Sequence, residues 1–186
     1  MYYDPDNANI STSTFTWSYC DIPGWSGIRE ELALLPPKVV RPKTSFWRTS
    51  EIGLYEPHLP CLWAWFRDSG LEVRSVAWVH SLPNSRAQIH TDLGPSDLAL
   101  QLPVTGCEDT YTAIYWALAP AVLKLTTPVG YYWQQEQVQE RDRYWLRDRP
   151  ILLNIKHPHQ VVNTGRLHRQ AISVRFAQDP WWLVDN

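Results

Sequence analysis

Between Leu71 and Phe176 the sequence breaks into short runs in which apolar and polar residues alternate, with turn residues between them. "LEVRSVAWVHSL", "RAQIHTD", "LALQLPV", "YTAIYWAL", "VLKLTTPV", "PILLNI", "HQVVN" and "HRQAISVRF" are short and rich in β-branched and aromatic residues. Such residues suit a pleated, half-buried surface. Side chains alternate between the two faces of a strand, so each run can bury only one face well. Seven or eight such strands joined by turns predict a sandwich or barrel. Fifteen prolines against eight glycines fit that punctuation.

Before Leu71 the period is different. Ser26 is placed to cap a short helix through "GIREELALL", which Pro36 and Pro37 stop. "VVRPKTSFWRT" reads as extended. In "HLPCLWAWFRDSG", Leu59, Leu62, Trp63 and Phe66 lie at helical spacing and Gly70 is placed for the C-cap. Residues 1–20 are polar and read as an arm or an edge strand. No linker or repeat divides the 186 residues, so the expectation is a single domain. Residues 1–70 are its N-terminal arm and helical buttress, and residues 71–176 its β core.

The totals exclude several classes of function. A formal net charge of −2 gives no footprint for nucleic acid or an anionic membrane. No window approaches the length of apolar chain that spans a bilayer. Cys20, Cys61 and Cys107 are scattered and form no C-x-x-C pair, which favours a reducing, cytoplasmic setting. The N-terminus lacks the basic-then-apolar pattern of a signal peptide. Eleven tryptophans and nine tyrosines are first of all core and sheet packing.

Against that background "RAQIHTDLGPSD" stands out, because His90 and Asp92 are two apart on a predicted strand and project from one face. The plainer reading is a histidine at a turn with an aspartate capping it. A metal site needs a third ligand from a distant strand. "NIKHPHQVVNTGRLHRQAISVRF" offers His159, 67 residues after Asp92, and Arg169 ten residues further. His157 has the same parity as His159, and periodicity does not separate them. Arg175 has the parity of Arg169.

H-x-D, a distal histidine on a late strand and an arginine ten residues beyond it resemble the Fe(II)/2-oxoglutarate-dependent oxygenase superfamily. The flanks "IHTDLG", "PHQVVN" and "RQAISVRF" resemble a small branch distantly similar to aspartyl/asparaginyl β-hydroxylases. The resemblance covers about residues 71–176. It implies a double-stranded β-helix, or jelly-roll, with Fe(II) held by His90, Asp92 and His159. It also implies 2-oxoglutarate as co-substrate with its far carboxylate on Arg169, dioxygen as oxidant, and hydroxylation of a small-molecule or peptide substrate with release of succinate and CO2. An aspartate in the H-x-D position favours hydroxylation over halogenation. Two histidines and one carboxylate on one side of an ion leave open positions, as a non-haem Fe(II) site requires. Arginine's fixed charge and forked donors suit a buried carboxylate.

The family's hydroxyl two residues after that arginine is replaced by Ala171. Ser173, Gln101 and Tyr115 are the candidates to complete the carboxylate pocket. Cys107 lacks a basic sequence neighbour that would mark an activated thiol. The competing readings are a cupin-type metalloenzyme without 2-oxoglutarate and a non-enzymatic jelly-roll binding module. Residues 133–149, "WQQEQVQERDRYWLRDR", read as a long polar connection bordering the metal pocket as a lid.

Overall fold

The computed structural model describes residues 13–35, 47–50, 52–92, 96–123 and 129–184. Its strands are β1 (Trp17–Tyr19), β2 (Trp47–Ser50), β3 (Val73–Ser81), β4 (Ser85–Arg86), β5 (Ile89–Asp92), β6 (Leu98–Thr105) and β7 (Thr110–Ala117). They continue with β8 (Val122–Leu123), β9 (Val129–Trp133), β10 (Val138–Trp145), β11 (Ile151–Asn154), β12 (His159–Asn163) and β13 (Arg169–Phe176). Two helices, α1 (Trp25–Ala33) and α2 (Pro60–Asp68), precede most of the strands.

One sheet runs β1-β11-β6-β13-β3-β2 and the other β10-β7-β12-β5-β9-β8, with β4 added against β12. Every pairing is antiparallel. From β5 to β7, and again from β10 to β13, consecutive strands alternate between the two sheets. That alternation winds the chain into a jelly-roll, so the fold is mainly β, as the sequence predicts.

The six-stranded sheet is covered on its outer face by the helices. Ile28 and Leu32 of α1 and Leu62, Trp63 and Phe66 of α2 pack with Val76, Trp78, Leu100, Ile172, Val174 and Phe176. α2 begins on Pro60, where the missing N–H costs nothing. It ends as the sequence predicts: Gly70 takes φ 68°, its N–H bonds Arg67 O and the Leu71 N–H bonds Phe66 O. That is a Schellman cap, which needs a left-handed residue where glycine is cheapest. Ser26 does not cap α1; the helix begins at Trp25 after Gly24, with no side-chain cap. Pro36 and Pro37 lie outside the described residues, as do residues 39–46 of the segment read as extended, whose end forms β2. Of residues 1–20, the edge strand is Trp17–Tyr19 and residues 1–12 lie outside the described set. Of "VLKLTTPV", residues 124–128 do too.

Between the sheets lies a second apolar cluster, with Ile114 and Tyr144 from one sheet and Ala99, Ile151, Leu153 and Ala171 from the other. This cluster defines the inner faces. Even-numbered residues of β7 and odd-numbered residues of β13 point inward.

Residues 133–149 are not a loop. A short turn at Gln135–Gln137, boxed by Gln134, leads into β10, the edge strand beside β7. A register shift between Glu140 and Asp142 breaks the alternation, and edge strands carry charges that discourage further pairing. Both features give this strand the polarity of a connection. No helix among the described residues is long and apolar enough to cross a membrane.

Candidate metal centre

Strand pairing puts the two histidines opposite each other. His159 of β12 is the cross-strand partner of both His90 on β5 and Ile114 on β7. Cross-strand partners share a face, so His90 and His159 point inward with Ile114, and their ring centroids are 4.5 Å apart. Asp92, two residues after His90, lies on that face too. His90 Nε2 and Asp92 Oδ1 are 3.5 Å apart. One ligand atom from each of His90, Asp92 and His159 lies within 4.8 Å of the others.

Each imidazole is locked in the tautomer a ligand needs. His90 Nδ1 is 2.7 Å from Gln88 O and His159 Nδ1 is 2.9 Å from His157 O. A carbonyl can only accept, so each Nδ1 donates and each Nε2 is left with its lone pair. Such backbone bonds fix ligating histidines in metal sites. Two lone pairs and a carboxylate converging this closely repel one another unless a cation sits among them. The donor set therefore fits a divalent metal.

The protonation states agree. Burial, then the neighbouring His90, pushes the His159 imidazolium down to about 4, so the ring is neutral near pH 7. Burial alone raises the Asp92 carboxyl, but the adjacent imidazoles and the charge of Arg175 outweigh it and hold it well below the usual range. Both folded-state values lie below their unfolded ones, so both groups contribute stability that is present at neutral pH and lost on acidification. For His159 the loss runs from its ordinary value of 6.5 down to about 4. The metal-free protein is expected to lose about 1 kcal/mol per pH unit across that window, measured by urea unfolding at pH 7 and pH 5. A flat profile there would mean that His159 is not buried neutral.

Asp92 is held from three directions. Arg175 Nη2 meets Oδ2 at 2.5 Å. The Asp92 N–H donates to Ile155 O at 3.2 Å. Lys156, buried in the turn before β12, donates from Nζ to Asp92 O at 3.2 Å. Sequence reading misses both cationic partners. Arg175 is signalled by its parity with Arg169, while nothing in "NIKHPH" marks Lys156 as buried.

His157, the rival of His159, faces elsewhere. Its Nε2 is 3.1 Å from Ser13 O and 3.0 Å from Phe15 O, so it anchors the N-terminal segment. Its carbonyl is the acceptor that orients His159.

Arg169 lies at the start of β13 on the inner face, 2% exposed. No carboxylate among the described residues pairs with it, and its Nη1 is buried without a hydrogen-bond partner. A buried guanidinium is costly unless something pairs with it. Its charge is felt by Tyr144 and Cys107. Tyr144 is hydrogen-bonded to Thr112, and burial above all pushes its phenol up to about 12, so it remains a hydroxyl. Cys107 thus has a basic neighbour in space that the sequence does not reveal; burial nevertheless dominates and raises the thiol.

Ser173 lies between Arg169 and Arg175 on the inner face of β13, and Gln101 Nε2 donates to its Oγ at 2.8 Å. Tyr115 is a correction. It alternates with Ile114 and so points outward, into a cluster with Ile89, Ala113 and Trp133, and its hydroxyl donates to Gln160 Oε1 at 3.1 Å. The structure does not bring it to the triad. Tyr144 and Thr112, absent from the sequence-level candidates, occupy the inner-face positions near Arg169 instead.

No family model matches the chain, and no curated protein matches it in sequence. Solved structures do match in shape. A Pseudomonas putida prolyl-4-hydroxylase is 12% identical, with 88% of this chain and 92% of that one covered and a TM-score of 0.45. The non-heme alpha-ketoglutarate-dependent carbocyclase SnoK, from nogalamycin biosynthesis, is 11% identical over 87% and 79%, with a TM-score of 0.47. Vicilin from Corylus avellana (hazelnut) is 13% identical over 73% and 30%, with a TM-score of 0.38.

Proposed function

We propose that this chain is an Fe(II)/2-oxoglutarate-dependent oxygenase, a hydroxylase of a small-molecule or peptide substrate. The observation that carries the reading is the pairing of two unmet demands on one inner surface. His90, Asp92 and His159 converge on a point that calls for a cation, and Arg169 presents a buried guanidinium nitrogen that calls for an anion. A dicarboxylate that chelates a metal at one end and carries a second carboxylate at the other meets both demands.

In this reading His90, Asp92 and His159 hold iron. Arg169 takes the far carboxylate of 2-oxoglutarate, with the neutral hydroxyl of Tyr144 and that of Thr112 beside it. Ser173 and Gln101 line the same face. Iron(II) and 2-oxoglutarate, when bound, supply the activation of dioxygen for C–H oxidation, coupled to formation of succinate and CO2.

The chain's own contribution is positioning and exclusion of water. Arg175 and Lys156 fix Asp92, and the carbonyls of Gln88 and His157 hold both imidazoles in the ligating tautomer. Ile114, Ile151, Leu153 and Ile155 keep the space between the sheets apolar, which strengthens every charge interaction there.

The expected result with purified protein is slow succinate formation, even without substrate, that requires both Fe(II) and 2-oxoglutarate. Oxygen consumption with Fe(II) alone, or a protein that binds metal but never 2-oxoglutarate, would overturn the reading.

A further inference from the structure

The sheet face that carries the triad does not end at the core. Along the inner face of β7, Ile114 is fully buried, Trp116 is 45% exposed, and Leu118, just past the strand, is 62% exposed. The Leu118 N–H still bonds Gln137 O, so backbone pairing continues one residue past β7. Ile114 is the cross-strand partner of His159, so Trp116 lies one inward-facing position further out from the metal ligand. An exposed indole offers a flat apolar face with a polar N–H, a combination suited to binding a ring.

Trp116 is also held in place. The Arg141 guanidinium stacks 3.9 Å from its ring centroid, and His157 meets its ring edge-on, 6.1 Å away at 88°. Arg141 has no carboxylate partner among the described residues. The two acids flanking it are engaged elsewhere. Glu140 is paired with Arg143, while Asp142 accepts from Thr16 Oγ1 and Trp17 Nε1 at 3.0 and 2.9 Å. Arg141 Nη2 donates to Thr14 O, and Nη1 is buried without a hydrogen-bond partner. A fixed, partly exposed indole therefore sits beside a cation that has no carboxylate at ion-pair distance among the described residues, on the face that leads to the metal ligands.

We propose that Trp116 and Arg141 form the substrate-recognition ledge, and that the substrate is an organic anion with a planar ring or flat unsaturated skeleton. The ring lies against Trp116 and the anionic group meets the guanidinium of Arg141. The assignment of this ligand as substrate rests on the reading of His90, Asp92 and His159 as a metal site. The ledge is distinct from the co-substrate pocket: Arg169 is buried between the sheets, whereas Arg141 lies on the edge strand.

The test uses naphthoate as the planar anion and naphthamide as its neutral match, titrated by calorimetry into the full chain. Mn(II) is then added, and its paramagnetic broadening of the naphthoate proton signals is read by NMR. Naphthoate is expected to bind about tenfold more tightly than naphthamide, through the added charge-assisted bond. Trp116→Ala and Arg141→Met should each weaken naphthoate by about tenfold. Trp116→Leu serves if the alanine variant does not fold. Bound naphthoate should be broadened by Mn(II) in the wild type. In His90→Ala it should bind without broadening.

Equal binding of acid and amide, wild-type affinity in both ledge variants, or no binding to the wild type overturns the ledge. Bound naphthoate that Mn(II) does not broaden, in a protein that water-proton relaxation shows to hold Mn(II), overturns its role in substrate recognition. Failure of Mn(II) to bind at all overturns the metal reading and with it the substrate assignment, while the titrations still decide the ledge itself.

Discussion

His159→Ala is expected to abolish stoichiometric Mn(II) or Fe(II) binding, and His157→Ala to weaken it by about tenfold at most. The two residues are neighbours in sequence and opposites in role. His159 presents a free Nε2 toward His90 and Asp92, with its Nδ1 bonded to the carbonyl of His157. His157 commits its own Nε2 to the carbonyls of Ser13 and Phe15. Removing the His157 side chain leaves its backbone carbonyl in place, so His159 keeps its tautomer and loses only packing. Removing His159 leaves two ligands where three are needed. His90→Ala and Asp92→Ala should match His159→Ala. The fold should survive all three; the histidine changes relieve repulsion among converging acceptors, whereas Asp92→Ala also removes the ion pair with Arg175 and lowers the melting temperature. Calorimetric titration with Mn(II), alongside thermal melts of the metal-free variants, measures both effects. Wild-type affinity in any triad variant, or a larger loss from His157 than from His159, would sink the assignment.

The parts of this arrangement that were legible in the sequence are those governed by local rules. Strand alternation places His90 with Asp92, and later Arg169 with Ser173 and Arg175, because parity along a strand fixes the face. Helical spacing and a C-terminal glycine mark α2 down to its cap. Choosing between His157 and His159 was beyond periodicity, since both have the same parity; it depends on the cross-strand register of His159 with His90, a nonlocal fact. Lys156 and Tyr144 were invisible for a similar reason. A lysine in a turn reads as solvated, and a tyrosine inside "QERDRYW" reads as surface, until the fold closes over them. Tyr115 is on the right strand, but its position next to Ile114 turns it to the opposite face, a distinction that needs the identity of the inner face. The polar 133–149 segment reads as a loop because charge on an edge strand and charge in a loop look alike, and the register shift at Glu140/Asp142 erases the alternation.

Arg169→Met carries the second large effect, and it should move two properties in opposite directions. Arg169 is 2% exposed, lacks an acidic partner among the described residues, and leaves Nη1 unbonded. An unpaired buried charge is a cost to the fold, so an apolar side chain of similar length should raise the stability of the metal-free protein by about 1–3 kcal/mol. The same change removes the anchor for the far carboxylate of 2-oxoglutarate. A forked, charge-assisted bond in a low-dielectric site contributes about 3 kcal/mol, so co-substrate affinity should fall about a hundredfold. Tyr144→Phe, which deletes only a neutral hydroxyl, should cost about tenfold or less in affinity. Urea unfolding without ligands gives the first quantity, and titration of the Mn(II)-loaded protein with 2-oxoglutarate under nitrogen gives the second. A gain in stability with no loss of co-substrate affinity would mean that the guanidinium serves some other anion. A loss of stability would mean that Arg169 has a structural partner and that its Nη1 is not waiting for an anion. Both effects together would identify a residue kept at the expense of the fold for the ligand it binds.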